Sequence, residues 1–163
     1  MAHTESQRLL LTLTVQHGLQ LRQADVVSAF LNGEIDSEFF MDQPDGFRSE
    51  THPHYYCKLR KGLYGLKQAG FIWNRKLNSF LTESLGFISS QSDPYFYYMF
   101  HSPGKVILLS LNVDDMIFAH NDSTMVERIL GKLKKVLGIR IRLDEISKTI
   151  IIDQETYISE LLS

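Results

Sequence analysis

Residues 106–119 read VILLSLNVDDMIFA, which is an aliphatic run, two adjacent aspartates and a second apolar run. Short apolar runs that break at a polar pair are typical of inner strands joined by a tight turn. The stretch therefore predicts a hairpin with Asp114 and Asp115 at its tip. Aspartate also favours turns because its side chain bonds to its own backbone. The turn alone leaves a solvated surface turn and a functional site equally open.

The rest of the chain alternates helix and strand patterns on both sides of this hairpin. A capping-box pattern at residues 4–7 predicts a helix that ends near Gly18, and apolar residues at helical spacing predict another that ends at Gly86. A third helix is predicted from Asp122 or Ser123 to about residue 136. Strands are predicted at 19–25, 38–41, 55–59, 95–100, 106–112, 116–119, 138–143 and 148–152, with a short helix or turn at 28–33, a surface loop at 47–54 and a terminal helix from 153.

Length and composition indicate one folded domain. The chain has 163 residues, with 44% hydrophobic and 11% aromatic residues, and a chain near this length buries roughly two-thirds of its unfolded surface. A net charge of -2 means that any nucleic-acid binding needs a local basic stripe. The single cysteine, Cys57, is expected in a buried strand of a protein from a reducing compartment. The start lacks a signal-peptide pattern and no apolar run could span a bilayer, so an intracellular protein without membrane contact is expected.

A third carboxylate, Asp25, is predicted near the end of the strand at 19–25. Acidic groups that share one site repel each other unless a cation lies between them. Mg²⁺ prefers oxygen ligands and commonly takes one or two carboxylates plus substrate phosphates. Asp25, Asp114 and Asp115 therefore form a candidate metal site, suited to two-metal nucleotidyl transfer. A metal-dependent nuclease on the same acids has less support, because no His or Lys lies beside them in sequence as a base.

Several longer strings strengthen this hypothesis because they recur together and in order. They read ADVVSAFLNG at 24–33, MDQPDGF at 41–47, CKL at 57–59, GLYGLKQA at 62–69 followed by Trp73, DP at 93–94 and VDD at 113–115. In this order they resemble the reverse transcriptase of copia-type retrotransposons, from about residue 7 to the end of the chain.

The resemblance implies an α+β fold, namely the palm of a right-hand polymerase, with an antiparallel sheet backed by helices. Residues 1–163 would form a partial reverse transcriptase domain. Residues around 38–62 would lie at the junction of fingers and palm, and the fingers and thumb would be largely missing. The implied activity is RNA-directed DNA synthesis.

The resemblance also assigns roles to individual residues. Asp25, Asp114 and Asp115 would be the catalytic ligands of two Mg²⁺ or Mn²⁺ ions. Phe30 would lie under the sugar of the incoming nucleotide and favour deoxynucleotides. The implied contacts with the nascent base pair and template come from Tyr64, Gly65, Lys67 and Gln68. Apart from the resemblance, ordinary structural roles would explain these residues. Phe30 would then be a core residue, Tyr64 a packing aromatic and Lys67 a solvated lysine.

The implied partners are an RNA or DNA template-primer and deoxynucleotide triphosphates. The implied location is intracellular, either cytoplasmic in a virus-like particle or nuclear. A palm without its neighbours exposes apolar faces, so self-association through those faces is expected.

The chain departs from the family pattern at two places near the implied substrate path. Asn112 replaces the tyrosine before Val-Asp-Asp, and Gly70-Phe71 replaces a Pro-Arg pair. The chain also has no match to the basic residues that hold the triphosphate in the family's fingers. Phosphoryl transfer depends on positioning and charge stabilisation, so a weakly active or inactive polymerase fragment is expected. The alternative is a catalytically dead remnant that acts, if at all, as a binding or interaction module.

Overall fold

A six-stranded antiparallel sheet forms the centre of the computed structural model, which describes residues 1–137 and 141–144, with side chains described through residue 135. The strands lie in the order β4-β5-β6-β7-β1-β8. Their bounds are β1 Gln20–Val26, β4 Ile88–Ser89, β5 Phe96–Ser102, β6 Lys105–Asn112, β7 Asp115–His120 and β8 Ile141–Asp144. A separate two-stranded sheet pairs β2 (Phe40–Met41) with β3 (Cys57–Lys58).

Within the described residues, three α-helices accompany the sheet: α1 Thr4–His17, α2 Ala69–Ser79 and α3 Ser123–Leu137. A 3-10 turn covers Ala29–Asn32, and a π-helical turn at Phe80–Ser84 extends α2. Gly18 ends α1 with φ 60°, a left-handed conformation that glycine adopts without steric cost.

Two of the helices pack on one face of the sheet and make the larger core. Trp73 and Leu77 of α2 and Leu133 of α3 are buried against strand residues such as Leu109 and Phe118. Successive side chains of a strand point to opposite faces, so these strand residues form one alternating set. Burial of their large side chains is the main source of stability for this face.

The remaining helix, α1, covers part of the opposite face. Leu10 is buried there with Phe96, Leu108 and Ala119. The sheet is therefore sandwiched between helices rather than backed on a single side. The predicted α+β class with an antiparallel sheet is confirmed, whereas the right-hand palm assignment stays a prediction.

Most predicted elements are present, but three details were wrong. The capping box does not form, because His3 is the N-cap and makes no side-chain cap bond. The strands predicted at 38–41 and 55–59 shrink to two residues each, and Cys57 is only half-buried because the small sheet lies outside the main core. The strand predicted at 148–152 and the helix from 153 lie outside the described residues, as does the beginning of the strand predicted at 138–143.

The small sheet is tied to the rest of the chain by charged side chains. Glu38 pairs with Lys58 across the sheet, and Asp36 pairs with Arg75 of α2 at 3.4 Å. Exposed pairs of this kind contribute little individually. The Glu38–Lys58 pair lies within the segment around 38–62, where the resemblance predicts the junction of fingers and palm, and the Asp36–Arg75 pair links the chain just before this segment to α2.

No helix in the described part of the chain combines the length and apolar character needed to cross a bilayer.

A buried carboxylate replaces the missing capping box at the start of α1. Asp93 is 2% exposed and accepts the backbone N–H of His3 at 2.8 Å and that of Tyr95 at 2.9 Å. Burial by itself raises the pKa of Asp93, but hydrogen bonds from the Ser6 side chain and from these two amides outweigh it, so the pKa lies below its usual range. The carboxylate connects α1 to the beginning of β5.

We expect Asp93→Asn to lower the free energy of unfolding by about 1–3 kcal/mol at pH 7, because a buried amide donor is left without an anionic acceptor. The folded pKa is depressed, so this stabilisation is complete above the unfolded pKa of about 4 and is lost as pH falls through the folded pKa. Urea unfolding at pH 7 and at successively lower pH measures the difference, which should shrink in acid. Asp45→Asn, at an exposed position, is the control and should have little effect.

Candidate active site

The pairing of β1 with β7 brings two of the predicted aspartates together. In this antiparallel pair Asp25 lies directly opposite Asp115, and Ala24 lies opposite Met116. Directly opposed residues share a face, with Cβ atoms about 5 Å apart. Asp25 and Asp115 therefore project from the same face at the same end of the sheet.

The third aspartate, Asp114, lies in the turn between β6 and β7. Its backbone carbonyl accepts the N–H of Val26 at 2.8 Å, which extends the pairing of β1 into the turn. All three aspartates are partly exposed, although the strand residues beside them are buried. The predicted position of the acids at the tip of a strand-turn-strand unit is confirmed.

The turn holds Val113 in an unfavourable backbone conformation. Its φ is 59°, in the left-handed region, where a β-branched residue is an outlier. The indole N–H of Trp73 donates a hydrogen bond to the Val113 carbonyl at 2.8 Å. Trp73 is 2% exposed in the core, so a rigid helix residue holds the turn from behind. Strain maintained by surrounding structure is common at functional sites.

The acids occupy the face that α1 covers, but beyond the helix. Ala119 of β7 has the same parity as Asp115 and is fully buried under α1, four residues further along the strand. Gln23 extends towards the acids from β1, and its side-chain amide lies 3.4 Å from a carboxylate oxygen of Asp115. The acidic end of the sheet is thus left open to solvent on the α1 side.

An aromatic pair borders the acids. The rings of Phe30 and Tyr64 have centroids 4.5 Å apart and are tilted by 49°. Burial raises the pKa of Tyr64 above its usual value, and the negative charges of Asp114 and Asp25 raise it further. Three of the predicted site residues, Tyr64, Asp25 and Asp114, therefore lie within electrostatic reach of one another.

Close backbone packing positions this aromatic pair. A Cβ atom on Gly62 would lie 2.6 Å from the backbone oxygen of Phe30, so no other residue fits there without moving the chain. The N–H of Gly62 also donates to the carbonyl of Gly33 at 2.9 Å. The segment that carries Tyr64 is therefore docked against the 3-10 turn that carries Phe30.

The other predicted substrate residues are less closely tied to the acids. Gly65 has a φ of 95° in an open turn, and Lys67 and Gln68 are exposed at the start of α2. Within residues 1–137 and 141–144, no hydrogen bond or ion pair joins Gly65, Lys67 or Gln68 to the three aspartates. Their roles stay predictions.

The donor set suits a hard divalent cation in its chemistry, since carboxylate oxygens are what Mg²⁺ and Mn²⁺ prefer. However, the described residues contain no group of three His, Cys, Asp or Glu side chains arranged so that it could hold a metal ion. The predicted metal site is therefore not shown. Mg²⁺ needs only one or two carboxylates when substrate phosphates and water complete its shell, so the prediction does not require three preformed ligands.

Two residues that touch the site were not among the predicted site residues. Gln23 lies two positions before Asp25, and strand alternation could have placed it on the same face. Trp73 belongs to one of the strings that carry the family resemblance, but its sequence context does not predict a role in the turn. Its contact with Val113 spans 40 residues of sequence and carries no local signal.

The fold and site define an α+β domain whose central hairpin presents adjacent carboxylates beside a third on the neighbouring strand. Residues 1–163 match the family model described as reverse transcriptase (RNA-dependent DNA polymerase). The chain belongs to this family and is a reverse transcriptase fragment of the copia type.

Curated relatives are transposon proteins of plants and yeast. The chain is 36% identical to the Retrovirus-related Pol polyprotein from transposon TNT 1-94 of Nicotiana tabacum, over 95% of this chain and 12% of that protein. It is 36% identical to the corresponding polyprotein from transposon RE1 of Arabidopsis thaliana, over 82% of this chain and 9% of that protein. It is 34% identical to the putative transposon Ty5-1 protein YCL074W of Saccharomyces cerevisiae, over 72% of this chain and 41% of that protein. The chain thus spans a minor part of each relative. No solved structure matches it.

We expect Trp73→Phe to loosen the acidic turn, because the ring is kept but the donor to the Val113 carbonyl is lost. The free energy of unfolding should fall by about 1–2 kcal/mol. The Val26 amide, which bonds to Asp114, should exchange its hydrogen faster than the fall in the free energy of unfolding alone would cause.

Tyr97→Phe is the matched control. It also removes one hydrogen bond to a buried ring, because the Tyr97 hydroxyl donates to Asn78 at 2.9 Å, but it does not touch the turn. Equal acceleration of Val26 exchange in both variants would contradict a specific role for Trp73.

Proposed function

We propose that this chain is the catalytic segment of an RNA-directed DNA polymerase, with Asp25, Asp114 and Asp115 as its metal-binding carboxylates. The observation that carries the proposal is the register of the central strands, which places Asp25 opposite Asp115. The adjacent Asp114 bonds through its backbone to the same strand. Membership of the reverse transcriptase family supports the reaction class.

The proposed reaction is attack of a primer 3′-hydroxyl on the α-phosphate of a deoxynucleotide triphosphate, with pyrophosphate as the leaving group. A bound pair of divalent ions would supply activation of the hydroxyl and stabilisation of the leaving oxygen. The protein's part is to hold the ligating oxygens on a rigid sheet. Gln23 positions one of them through its contact with Asp115.

We propose that Phe30 and Tyr64 together form the surface that receives the sugar of the incoming nucleotide. The support is their ring contact beside Asp25 and Asp114. The bulk of Phe30 would disfavour a 2′-hydroxyl. Gly65 would allow close approach of the nascent base pair. Lys67 and Gln68 are exposed, three and four residues after Tyr64, and would contact the template-primer backbone.

We propose that the polymerase activity of the 163-residue chain alone is weak or absent. Asn112, which pairs with Asp115 at the base of the hairpin, offers no aromatic surface for a primer end. Gly70-Phe71 provides neither a rigid turn nor a cation near the template path. The alternative is a catalytically dead remnant that acts, if at all, as a binding or interaction module.

Metal binding distinguishes the two alternatives without requiring turnover. We expect Mn²⁺ to bind the unmutated chain, as measured by its electron paramagnetic resonance signal. Asp25→Asn and Asp114→Asn should each weaken binding by about tenfold or more, because each removes one charged ligand. Asp45→Asn, in a remote exposed turn, should bind as the unmutated chain does. Identical titrations for all four proteins would support the dead remnant.

Primer extension tests the activity itself. We expect slow incorporation of thymidine nucleotides on a poly(rA)-oligo(dT) template-primer that depends on Mg²⁺ or Mn²⁺ and disappears in Asp114→Asn. No incorporation by the unmutated chain would contradict the slow activity expected of it, and incorporation that persists in the variant would exclude Asp114 as its catalytic residue.

A further inference from the structure

A small cavity lies behind the acidic turn, between the 3-10 turn and α2. Its volume is about 190 Å³. Aromatic rings from three parts of the chain line it, namely Phe30, Trp73 and Tyr95, and Leu77 contributes an aliphatic wall. Met1 also lines the cavity and is 66% exposed. An engineered apolar cavity of about 150 Å³ is large enough to bind benzene.

The lining chemistry favours a neutral ligand. None of the lining side chains is charged. One of them, Asn74, is half-buried and makes no side-chain hydrogen bond within the part of the chain that the structure describes. Its carboxamide can donate and accept, so the cavity offers one polar contact within an otherwise apolar, ring-lined space.

Gly70 leaves part of this space open. A Cβ atom added at Gly70 would meet only the Phe30 ring, at 3.9 Å, which is ordinary van der Waals contact. A Cβ atom at this lining position would therefore fit without a backbone clash. The absence of a side chain at residue 70 creates room for a ligand.

We propose that this cavity is a binding site for a neutral molecule with one aromatic ring and one hydrogen-bonding group. The ring packs against the half-buried Phe30 and Tyr95, close to the buried Trp73, and the polar group bonds to Asn74. The cavity is too small for a helix or strand of another protein. The ligand contacts Trp73 and Val113, which are joined by the hydrogen bond that supports the Asp114-Asp115 turn. The site does not depend on the proposed polymerase function.

The chain contains a single tryptophan, which lies in the cavity wall and provides a direct readout. Benzyl alcohol is a suitable probe, because it has the required ring and hydroxyl and does not absorb at the wavelength used to excite tryptophan selectively. We expect a saturable change in Trp73 fluorescence, with half-saturation at about 1 mM because the ligand has so few atoms. The melting temperature should rise by a few degrees at saturating probe.

Filling the cavity should abolish binding. We expect Gly70→Leu to weaken benzyl alcohol binding by more than tenfold while the protein keeps its helical content. Gly131→Leu is the matched control, since Gly131 is an exposed position of α3 with no atom within 4 Å of an added Cβ. It should bind the probe as the unmutated chain does.

A second variant keeps the test decisive if Gly70→Leu does not fold. Asn74→Leu should weaken benzyl alcohol severalfold but leave toluene bound at least as well, because only the alcohol uses the amide. A linear, non-saturating fluorescence response in the unmutated chain would overturn the proposal. So would saturable binding that neither Gly70→Leu nor Asn74→Leu alters.

Discussion

The antiparallel pairing of β1 with β7 is the constraint on which the fold and the site both depend. Ala24 and Met116 face each other inside the core, and one position along the same ladder Asp25 faces Asp115. A slip of one residue would move the core side chains to the other face of the sheet. Burial of the core residues fixes the strand register and therefore also the positions of Asp25 and Asp115. The two carboxylates repel each other and would not come together by themselves.

The turn that completes the site is held by tertiary contacts rather than by its own sequence. Val113 adopts a positive φ that costs on the order of 1–3 kcal/mol, and local chemistry does not offset this cost. The hydrogen bonds from Trp73 to Val113 and from Val26 to Asp114 provide the compensation from a helix and from a neighbouring strand. Trp73 also lines the cavity behind the turn. The same side chain therefore forms part of the cavity wall and donates the hydrogen bond to Val113.

Local periodicity explains why much of the fold could be predicted. The apolar runs on both sides of Asp114 and Asp115 are long enough to specify two buried strands. The polar pair is therefore predicted in the turn that joins these strands. The prediction failed where a segment lacks contact with the main core, as at residues 38–41 and 55–59, or where a partner is remote. The capping box does not form; instead the buried Asp93 carboxylate accepts the His3 N–H at the start of α1 and the Tyr95 N–H just before β5.

The sequence by itself determined the strands, the hairpin and the family, because periodic patterns and long strings in register are properties of neighbouring residues. It also identified Asp25, Asp114, Asp115, Phe30 and Tyr64 as candidates. Only the tertiary structure decided that Phe30 contacts Tyr64, that Gln23 lies beside Asp115 and that Trp73 supports Val113. Those contacts join residues 34–92 positions apart: strand pairing places Gln23 near Asp115, and packing of α2 on the sheet places Trp73 near Val113. The partners are distant in sequence, so no local pattern indicates which residues meet.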